Sequence, residues 1–348
     1  MRRLAGLLLG AAALTSALCT TVRATSTPQA QRPESQTVIV VVGAGGTEQF
    51  AEQFAQWAGL WEKACSKSGA RFIAIGLGNL EAQSDRAMLQ KVLSDESGQT
   101  DAALWLVLIG HGTFDGRAAK FNLRGPDLSA DDLAQWLEPI RRPTAVINSA
   151  SSSSPFLTKL SAPGRVVITA TKSGFEQNYA RFAGFMAEAI IDPQADLDKD
   201  GQTSLLEAFL TASHRTGEFY SAAGRLATEH ALLDDNGDAL GTRADWFRGI
   251  RPVQSAADLP RPAGPGTAGG ADLDGYRAHQ LHLLHSDNEM KISPDLRAER
   301  DRLELEVMEL RDAKETFSEE EYFSKLQALL TRIARIYEQA DKNSKSSD

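Results

Sequence analysis

Short apolar runs alternate with longer segments of helical periodicity over the first part of the chain. The runs rich in Val, Ile and Leu are predicted strands, at Val38–Val42, Arg71–Ile75, Leu104–Ile109, Ala145–Ile147 and Val166–Thr169. The helical segments between and after them are Gln49–Ser68, Asp85–Asp95, Ala130–Leu137, Pro155–Leu160 and Arg181–Ile191. Near-continuous apolar strands separated by helices indicate a mostly parallel sheet buried on both faces, so we predict an α/β fold with flanking helices.

After residue 250 the pattern changes to a linker and two amphipathic helices. Residues 251–275 are rich in proline and glycine and are predicted to be a linker. Ser293 can cap one helix, and Ser318 with Glu321 forms a capping box for a second. We therefore predict a helical hairpin at 290–340, or two helices that dock on a partner. The apolar stripes expected to be buried are Leu296, Leu303, Val307 and Leu310 in the first helix and Phe323, Leu326, Leu330, Ile333 and Tyr337 in the second.

The first residues have the layout of a secretory signal peptide. Met1-Arg2-Arg3 is a positively charged start, Leu4–Leu18 is an apolar stretch short for a membrane span, and Val22-Arg23-Ala24 fits a cleavage site. We predict a signal peptide at 1–24, a flexible lead-in at 25–36 and an exported protein, either periplasmic or secreted.

A retained membrane anchor is the alternative to cleavage, whereas a lipoprotein at Cys19 is disfavoured because the preceding leucine is bulky. Cleavage would leave no stable membrane span. It would also remove three arginines and no acid, which lowers the net charge from −9 to −12. An acidic surface disfavours nucleic acid as a partner. The mature chain would keep one cysteine, Cys65, which cannot form an internal disulfide and is predicted to be structural.

Two of the predicted strands end in residues that can carry chemistry. The run Ile109-Gly110-His111-Gly112 places a histidine after one strand, and a run of serines at 149–154 follows the next strand. The carboxyl ends of parallel strands meet at one edge of a sheet, where α/β proteins form their sites. A histidine and a hydroxyl can therefore come close together, as a nucleophile–base pair requires.

These motifs resemble those of the caspases, legumains and gingipains. In that family one strand ends in His-Gly, and a later strand ends in Ala-Cys-x-x-Gly or a similar motif that carries the nucleophile. Gly110-His111-Gly112 is similar to the first motif, and Ala150 to Ser154 is similar to the second, with Ser151 at the cysteine position. The resemblance covers about 37–191 and implies a caspase/legumain-like domain, which we place at 37–250.

The chain departs from the family pattern at several positions. Ser149 replaces the acid that precedes Ala-Cys in legumains, and Ser154 replaces the glycine that lets the backbone approach the oxyanion. No acid adjoins His111, and the nearest is Asp115 in the following loop. A register one residue earlier would place Ala150 at the cysteine position and leave no nucleophile.

The departures favour a degenerate, non-proteolytic peptidase homologue that binds a protein or peptide partner. A serine is a weaker nucleophile than a thiolate and needs an efficient, well-oriented base. Two alternatives stay open. One is an active hydrolase with Ser151 as nucleophile, His111 as base and the amides of Gly112 and Ser151 as oxyanion donors. The other is a calcium-dependent binding scaffold.

One acidic loop at 196–207 matches the ligand spacing of an EF-hand. Oxygen ligands at alternating positions wrap a hard cation, Gly201 allows the sharp turn, and the last glutamate can bind with both oxygens. Thr203 occupies the position where a hydrophobic residue pairs with a sister loop, so we predict a lone structural Ca²⁺ site, with a solvated acidic turn as the alternative. The predicted ligands are Asp196, Asp198, Asp200, Gln202 through its backbone carbonyl, Ser204 and Glu207.

Three other motifs are given structural interpretations. The acidic run Asp234–Asp238 is truncated for an EF-hand and predicts a glycine-containing turn that could add ligands. His279, His282 and His285 recur every three residues and predict one exposed helix face, on which zinc would bind only adventitiously. The glycines at 43–46 lack the third glycine of a dinucleotide motif and predict a tight turn.

Overall fold

A computed structural model describes residues 35–78, 83–98, 100, 102–254 and 273–345 of the chain. The predicted signal peptide, the lead-in up to residue 34 and residues 255–272 of the predicted linker lie outside the described residues. Within the described ranges, no helix is both long enough and apolar enough to cross a membrane.

The predicted strands and the first helices are confirmed to within one or two residues at each end. The strands are β1 (Thr37–Val42), β2 (Arg71–Ile75), β3 (Leu104–Ile109), β4 (Gly112–Phe114), β5 (Ala119–Phe121), β6 (Leu128–Ser129), β7 (Thr144–Asn148), β8 (Arg165–Thr169), β9 (Leu232–Asp234), β10 (Thr242–Arg243), β11 (Phe247–Arg248) and β12 (Arg251–Pro252). The helices are α1 (Glu48–Ser68), α2 (Asp85–Asp95), α3 (Ala130–Leu137), α4 (Ser154–Leu160), α5 (Phe182–Ala189), α6 (Leu205–Ala222), α7 (Tyr276–Gln280), α8 (Asp287–Met290), α9 (Pro294–Asp312) and α10 (Glu319–Lys345).

The central sheet confirms the predicted mostly parallel α/β fold. Among the described residues it has seven strands in the order β10-β9-β8-β7-β3-β1-β2. Within this sheet β2, β1, β3, β7 and β8 run parallel to one another, whereas β9 runs antiparallel to β8 and β10 antiparallel to β9. The carboxyl ends of β1, β3, β7 and β8 therefore lie side by side at one edge of the sheet.

Helices cover both faces of this sheet, which explains why its strands are apolar throughout. Val38 and Val40 on β1 pack into a layer with α1, α5 and α6, and Ile39 and Val41 pack into the layer with α2, α3 and α4. All residues of β1 and β3 are buried. Cys65 lies in the first of these layers, and burial raises the pKa of its thiol to about 12, in line with a structural role.

A small antiparallel sheet, β4-β5-β6, follows β3 and was not predicted from the sequence. Its strands are two or three residues long, too short to show an alternating pattern. Phe121 on β5 fills the space beside two glycines: a Cβ on Gly43 would lie 3.1 Å, and one on Gly110 3.0 Å, from its ring. The small sheet thus closes over the ends of β1 and β3.

The predicted helical hairpin region contains α9 and α10, which pack against each other. Leu303, Val307 and Leu310 of α9 are buried as expected. In α10, three residues of the predicted stripe, Phe323, Leu330 and Tyr337, are 52%, 49% and 44% exposed. The neighbouring residues Tyr322, Ile336 and Ala340 are buried instead. Along α10, apolar residues are adjacent in sequence and therefore point to different sides of the helix. The side that faces α9 determines which of them are buried.

Candidate functional site

The sheet brings His111 and the serine run to adjacent strand ends. β3 and β7 are parallel neighbours in which Leu108 pairs with Asn148, and the amide of Ser149 donates to the carbonyl of Leu108 at 3.0 Å. His111 and Ser151 each follow this pair by three residues. The sequence-based expectation that the two residues occupy one edge of the sheet therefore agrees with the topology.

His111 is held by backbone and aromatic contacts. Its Nε2 lies 3.2 Å from the carbonyl oxygen of Gly45, in the glycine-rich turn after β1. A carbonyl only accepts, so Nε2 carries a proton, and in the neutral form of the ring the lone pair is then on Nδ1. The ring contacts Phe50, Phe54 and Tyr179, with centroid distances of 5.1, 5.2 and 5.9 Å. The aromatic side chains fix the orientation of the imidazole.

Ser151 forms its hydrogen bonds with the backbone. Its Oγ accepts from the amide of Gly112 at 3.2 Å and donates to the carbonyl of the same residue at 3.1 Å. The residue is 3% exposed. Gly112 permits this contact, because a Cβ there would lie 2.1 Å from the carbonyl oxygen of Ser151. Within the described residues, no hydrogen bond joins Ser151 to His111, and the serine proton is directed to a carbonyl.

Asp115, the nearest acid in sequence, does not orient His111. Its carboxylate accepts from the amides of Arg117 and Ala118, both at 2.8 Å. These amides lower the pKa of the exposed Asp115 carboxyl. The acid therefore stabilises its own turn, between β4 and β5.

Ser152 and Ser153 of the serine run are buried, and Ser153 bonds to the segment that follows β8. The hydroxyl of Ser153 bonds with that of Thr171 at 3.2 Å and accepts from the Thr171 amide at 3.2 Å. Ser152 has a φ of 55° and a buried hydroxyl that has no partner among the described residues. A non-glycine residue in this left-handed region costs about 1 kcal/mol. The loop thus combines backbone strain with an unsatisfied hydroxyl, directly after the position that resembles the family's nucleophile.

A second histidine, missed from the sequence, lies near this loop. His230 Nδ1 lies 2.5 Å from Glu176 Oε1, and Glu176 Oε2 accepts from the amides of His230 and Lys172. The carbonyl of Glu176 accepts from the amide of Ser152 at 2.9 Å. The two partners are 54 residues apart with no shared motif, so only the fold brings them together.

Two cavities lie away from the strand-end histidine and serine. One of about 350 Å³ is lined by Gln90 and Trp136, between α2 and α3. The other, about 170 Å³, lies behind β8 and is lined by Ser213, Glu229 and His230. The second is smaller than most sites for drug-sized molecules, which occupy about 300–1,000 Å³.

The acidic loop at 196–207 is closed by Glu207. This residue stands in the first turn of α6, where Ser204 and Glu207 form a capping box. Oε2 of Glu207 accepts from the amide and hydroxyl of Ser204, both at 2.8 Å, and Oε1 accepts from the amides of Leu197 and Asp198 at 2.7 and 3.2 Å. One buried carboxylate therefore joins both ends of the loop.

The three aspartates of the loop face one another. Asp196, Asp198 and Asp200 offer carboxylate oxygens that all lie within 4.8 Å of one another. The turn between them needs left-handed backbone at Lys199 (φ 64°) and Gly201 (φ 91°). The amides of both residues donate to the Asp196 carboxylate, at 2.7 and 3.2 Å. Carboxylates this close repel one another, and a divalent cation relieves the repulsion.

Gln202 and His279 are the loop's other polar neighbours. The side chain of Gln202 donates to Asp200 at 3.1 Å and accepts from the amide of Ser286 at 3.2 Å. His279 Nε2 on α7 lies 3.0 Å from Asp198 Oδ2, and it forms a second group with Asp198 and Glu207 whose possible ligand atoms lie within 4.8 Å. His279 is 81 residues from Asp198, which is why the sequence motif did not include it.

The second acidic turn is buried at Asp234 and Asp235. Asp235 accepts from the amides of Gly275 and Ala278, both at 2.8 Å. Asp274 accepts from the amide of Asp235 at 2.9 Å and from the hydroxyl of Thr242 at 2.6 Å. Burial raises the pKa of both carboxyls, and for Asp274 the nearby Asp235 charge adds to the increase. We call this pair the acid clasp, because it attaches the segment before α7 to the end of β9.

The predicted histidine face is wrong. α7 ends at Gln280, so His282 and His285 lie beyond the helix, and both are partly buried. The residue after the helix, Leu281, is extended, and Ser204 forms an antiparallel bridge with His282. Pairing with the start of α6 therefore overrides the helical spacing.

Comparison with known proteins adds little to this description. No family model matches the chain, and no curated protein matches it. Among solved structures, the crystal structure of the Drosophila initiator caspase Dronc is similar at 13% sequence identity and a TM-score of 0.38, over 58% of this chain and 80% of that one. At this TM-score the likeness does not bear on the fold or the function of the chain.

Proposed function

We propose that the chain is a caspase/legumain-like protein without peptidase activity, which acts by binding a protein or peptide partner. The observation that carries this proposal is the pairing of Ser151, whose hydroxyl bonds to the backbone of Gly112 and not to His111. A serine nucleophile requires a base that takes its proton during attack. Here the proton is directed to a carbonyl oxygen, which cannot act as that base.

The surroundings of His111 support the same conclusion. Its Nε2–H is used by Gly45, and the ring lies against Phe50 and Phe54. The Nε2–H tautomer leaves a lone pair on Nδ1, but among the described residues no hydrogen bond joins either ring nitrogen to Ser151. Asp115 is engaged in its own turn and supplies no third group to orient the imidazole. The 3% exposure of Ser151 further restricts attack on a substrate carbonyl.

The proposal includes a structural Ca²⁺ in the loop at 196–207. Clustered aspartate oxygens, with the Glu207 carboxylate at the last position of the motif, form the donor set that Ca²⁺ prefers. Asp196, Asp198, Asp200 and Glu207 would hold the ion with their carboxylates. Ser204 would contribute at its position in the motif and Gln202 through its backbone carbonyl. The ion would link the segment after α5 to the first turn of α6.

Export to the periplasm or outside the cell completes the proposal. The amino-terminal layout supports it, since a positive start is followed by a short apolar stretch and a small-residue cleavage site. Extracellular calcium modules bind with a Kd of about 10⁻⁴–10⁻³ M, so a single loop of modest affinity suffices where calcium is abundant.

A peptidase assay tests the proposal. The mature chain, its Ser151→Ala variant and its His111→Ala variant are incubated with a diverse peptide library in Ca²⁺, and the products are identified by mass spectrometry. We expect no cleavage by the wild-type chain above that of Ser151→Ala. Cleavage that disappears in both variants would replace the proposal with the serine-hydrolase alternative.

A further inference from the structure

A pair of histidines at the start of the carboxy-terminal region has unused ring nitrogens. Nε2 of His282 and Nδ1 of His285 are buried, and neither has a hydrogen-bond partner among the described residues. The ring centroids lie 6.1 Å apart, with an angle of 43° between the planes. Buried polar atoms usually have a partner, so two orphan nitrogens on adjacent rings call for an explanation.

The other ring nitrogen of His282 fixes its tautomer. Nδ1 lies 3.3 Å from the carbonyl oxygen of Gln280, which can only accept, so Nδ1 carries the proton and Nε2 bears the lone pair. Histidines that bind metals usually donate their second N–H to a carbonyl or carboxylate in this way. Burial, with smaller effects from His285 and His279, lowers the pKa of His282 to about 4.

The backbone around His282 is anchored on both sides. The amide of Leu205, in the first turn of α6, donates to the carbonyl of Leu281 at 2.8 Å. The carbonyl of His282 accepts from the side chain of Gln36 at 2.9 Å, and Leu283 is buried. A ligand on anchored backbone loses less freedom when it binds an ion.

The charged side chains near His285 do not exclude a bound cation. Arg297 and Arg300 contribute to lowering the pKa of His285, after the larger effect of burial. Arg300 is neutralised by Glu289 at 2.6 Å and by Asp301 at 2.7 Å. The local field is therefore a mixture of both signs and not a cationic patch.

We propose that His282 Nε2 and His285 Nδ1 bind a divalent transition-metal ion of the Zn²⁺ class. Imidazole nitrogen suits Zn²⁺, Ni²⁺ and Cu²⁺, whereas Ca²⁺ prefers oxygen. Two imidazoles on a tetrahedral ion at about 2.1 Å would have centroids roughly 5 Å apart, so the rings approach by about 1 Å on binding. His279 is not required, because its Nε2 is engaged by Asp198. The proposed ligand atoms are not among the Ca²⁺ ligands, although the backbone of Ser204 forms a bridge with His282, and the site does not depend on the proposed function.

Metal titration of the full chain tests this site. Protein stripped with EDTA and then saturated with Ca²⁺ is titrated with Zn²⁺ by calorimetry, and with Co²⁺ while its visible absorption reports nitrogen ligation. We expect one Zn²⁺ per chain, and at least about 10-fold weaker binding in both His282→Gln and His285→Gln. His214→Ala is the matched control, because His214 is 74% exposed on α6, and its binding should not change.

Imidazole nitrogen NMR on the wild-type chain keeps the test independent of variant folding. Zn²⁺ should shift the resonances of His282 Nε2 and His285 Nδ1, and should leave His214 unchanged. The proposed site is refuted if Zn²⁺ does not bind. It is also refuted if His214→Ala weakens binding as much as the other two variants do, because binding would then be a surface effect. A change in melting with Ca²⁺ in the same samples reports on the acidic loop, so failure of either site is distinguishable from failure of the other.

Discussion

The acid clasp gives a prediction in which two substitutions at one position have opposite effects. Asp274 receives hydrogen bonds from the amides of Asp235 and Asn236 and from the hydroxyl of Thr242. Asp274→Ala removes all three and leaves their donors buried. At about 1 kcal/mol for each bond, the free energy of unfolding should fall by about 3 kcal/mol. Asp274→Asn can keep them, because its oxygen still accepts from the two amides and the Thr242 hydroxyl can turn to accept from its NH₂ group.

The asparagine should also remove the cost of charging a buried pair. Burial raises the pKa of Asp235 and Asp274 in the folded state, so the unfolded chain loses these protons first as the pH rises. Wild-type stability should therefore decline as the pH rises above about 4, the carboxyl pKa of the unfolded chain. Asp234 acts in the same direction, since burial raises its pKa to about 6. Asp274→Asn should equal the wild type near pH 4 and exceed it at pH 8.

Urea and thermal unfolding at pH 4 and pH 8 measure both effects. With about 2–4 °C in Tm for each kcal/mol in a chain of this size, Asp274→Ala should lower Tm by roughly 6–12 °C. Asp245→Asn is the control, because Asp245 is an exposed acid paired with Arg243 at the surface. The reasoning is refuted if Asp274→Asn destabilises the chain at pH 8 as much as Asp274→Ala does.

Three further predictions follow from the loops and the core. With a Kd of about 10⁻⁴–10⁻³ M, Ca²⁺ at 10 mM should stabilise the folded chain by about 1.4–2.7 kcal/mol in melting experiments. Asp200→Ala should abolish this stabilisation. Unchanged melting of the wild-type chain would exclude the loop site. Arg142→Met should cost about 1–3 kcal/mol in urea unfolding, because Arg142 forms a buried 2.8 Å ion pair with Glu96, which keeps Arg71 as a second partner. An unchanged free energy of unfolding would contradict this. Ser152→Ala should change the free energy of unfolding by less than about 1 kcal/mol, because the Ser152 hydroxyl has no partner among the described residues. Ser153→Ala should cost about 1–3 kcal/mol, because it removes the hydrogen bonds to Thr171. The reverse order in the same unfolding assay would refute this account of the loop.

The sequence predicts the fold best where burial is complete along an element. Strands such as β1 and β3 are apolar at nearly every residue, because helices cover both faces of the sheet, and their positions could be predicted closely. The β4-β5-β6 sheet is too short to carry a period. In α10 the adjacent apolar residues Tyr322 and Phe323 differ by one helical step, and only the position of α9 shows which is buried.

The candidate site is predictable in position but not in its hydrogen bonds. The carboxyl ends of parallel strands lie at one edge of a sheet, so His111 and Ser151 could be assigned to that edge. Whether the Ser151 proton points to an imidazole or a carbonyl depends on the close approach of Gly112, which no motif encodes. The contacts of His279 with the acidic loop and of Glu176 with His230 join distant segments, and such pairs have no signal in a single sequence.

Fluorophosphonate labelling tests the central claim most directly, because it reports the nucleophilicity of Ser151 without knowledge of a substrate. The mature chain and its Ser151→Ala and His111→Ala variants are incubated with an excess of the probe in Ca²⁺, and the intact mass of each is measured. The hydrogen bonding of Ser151 predicts no adduct on that residue and the same mass profile as Ser151→Ala. An adduct on Ser151 that is lost in His111→Ala would contradict the claim that this chain has no catalytic serine.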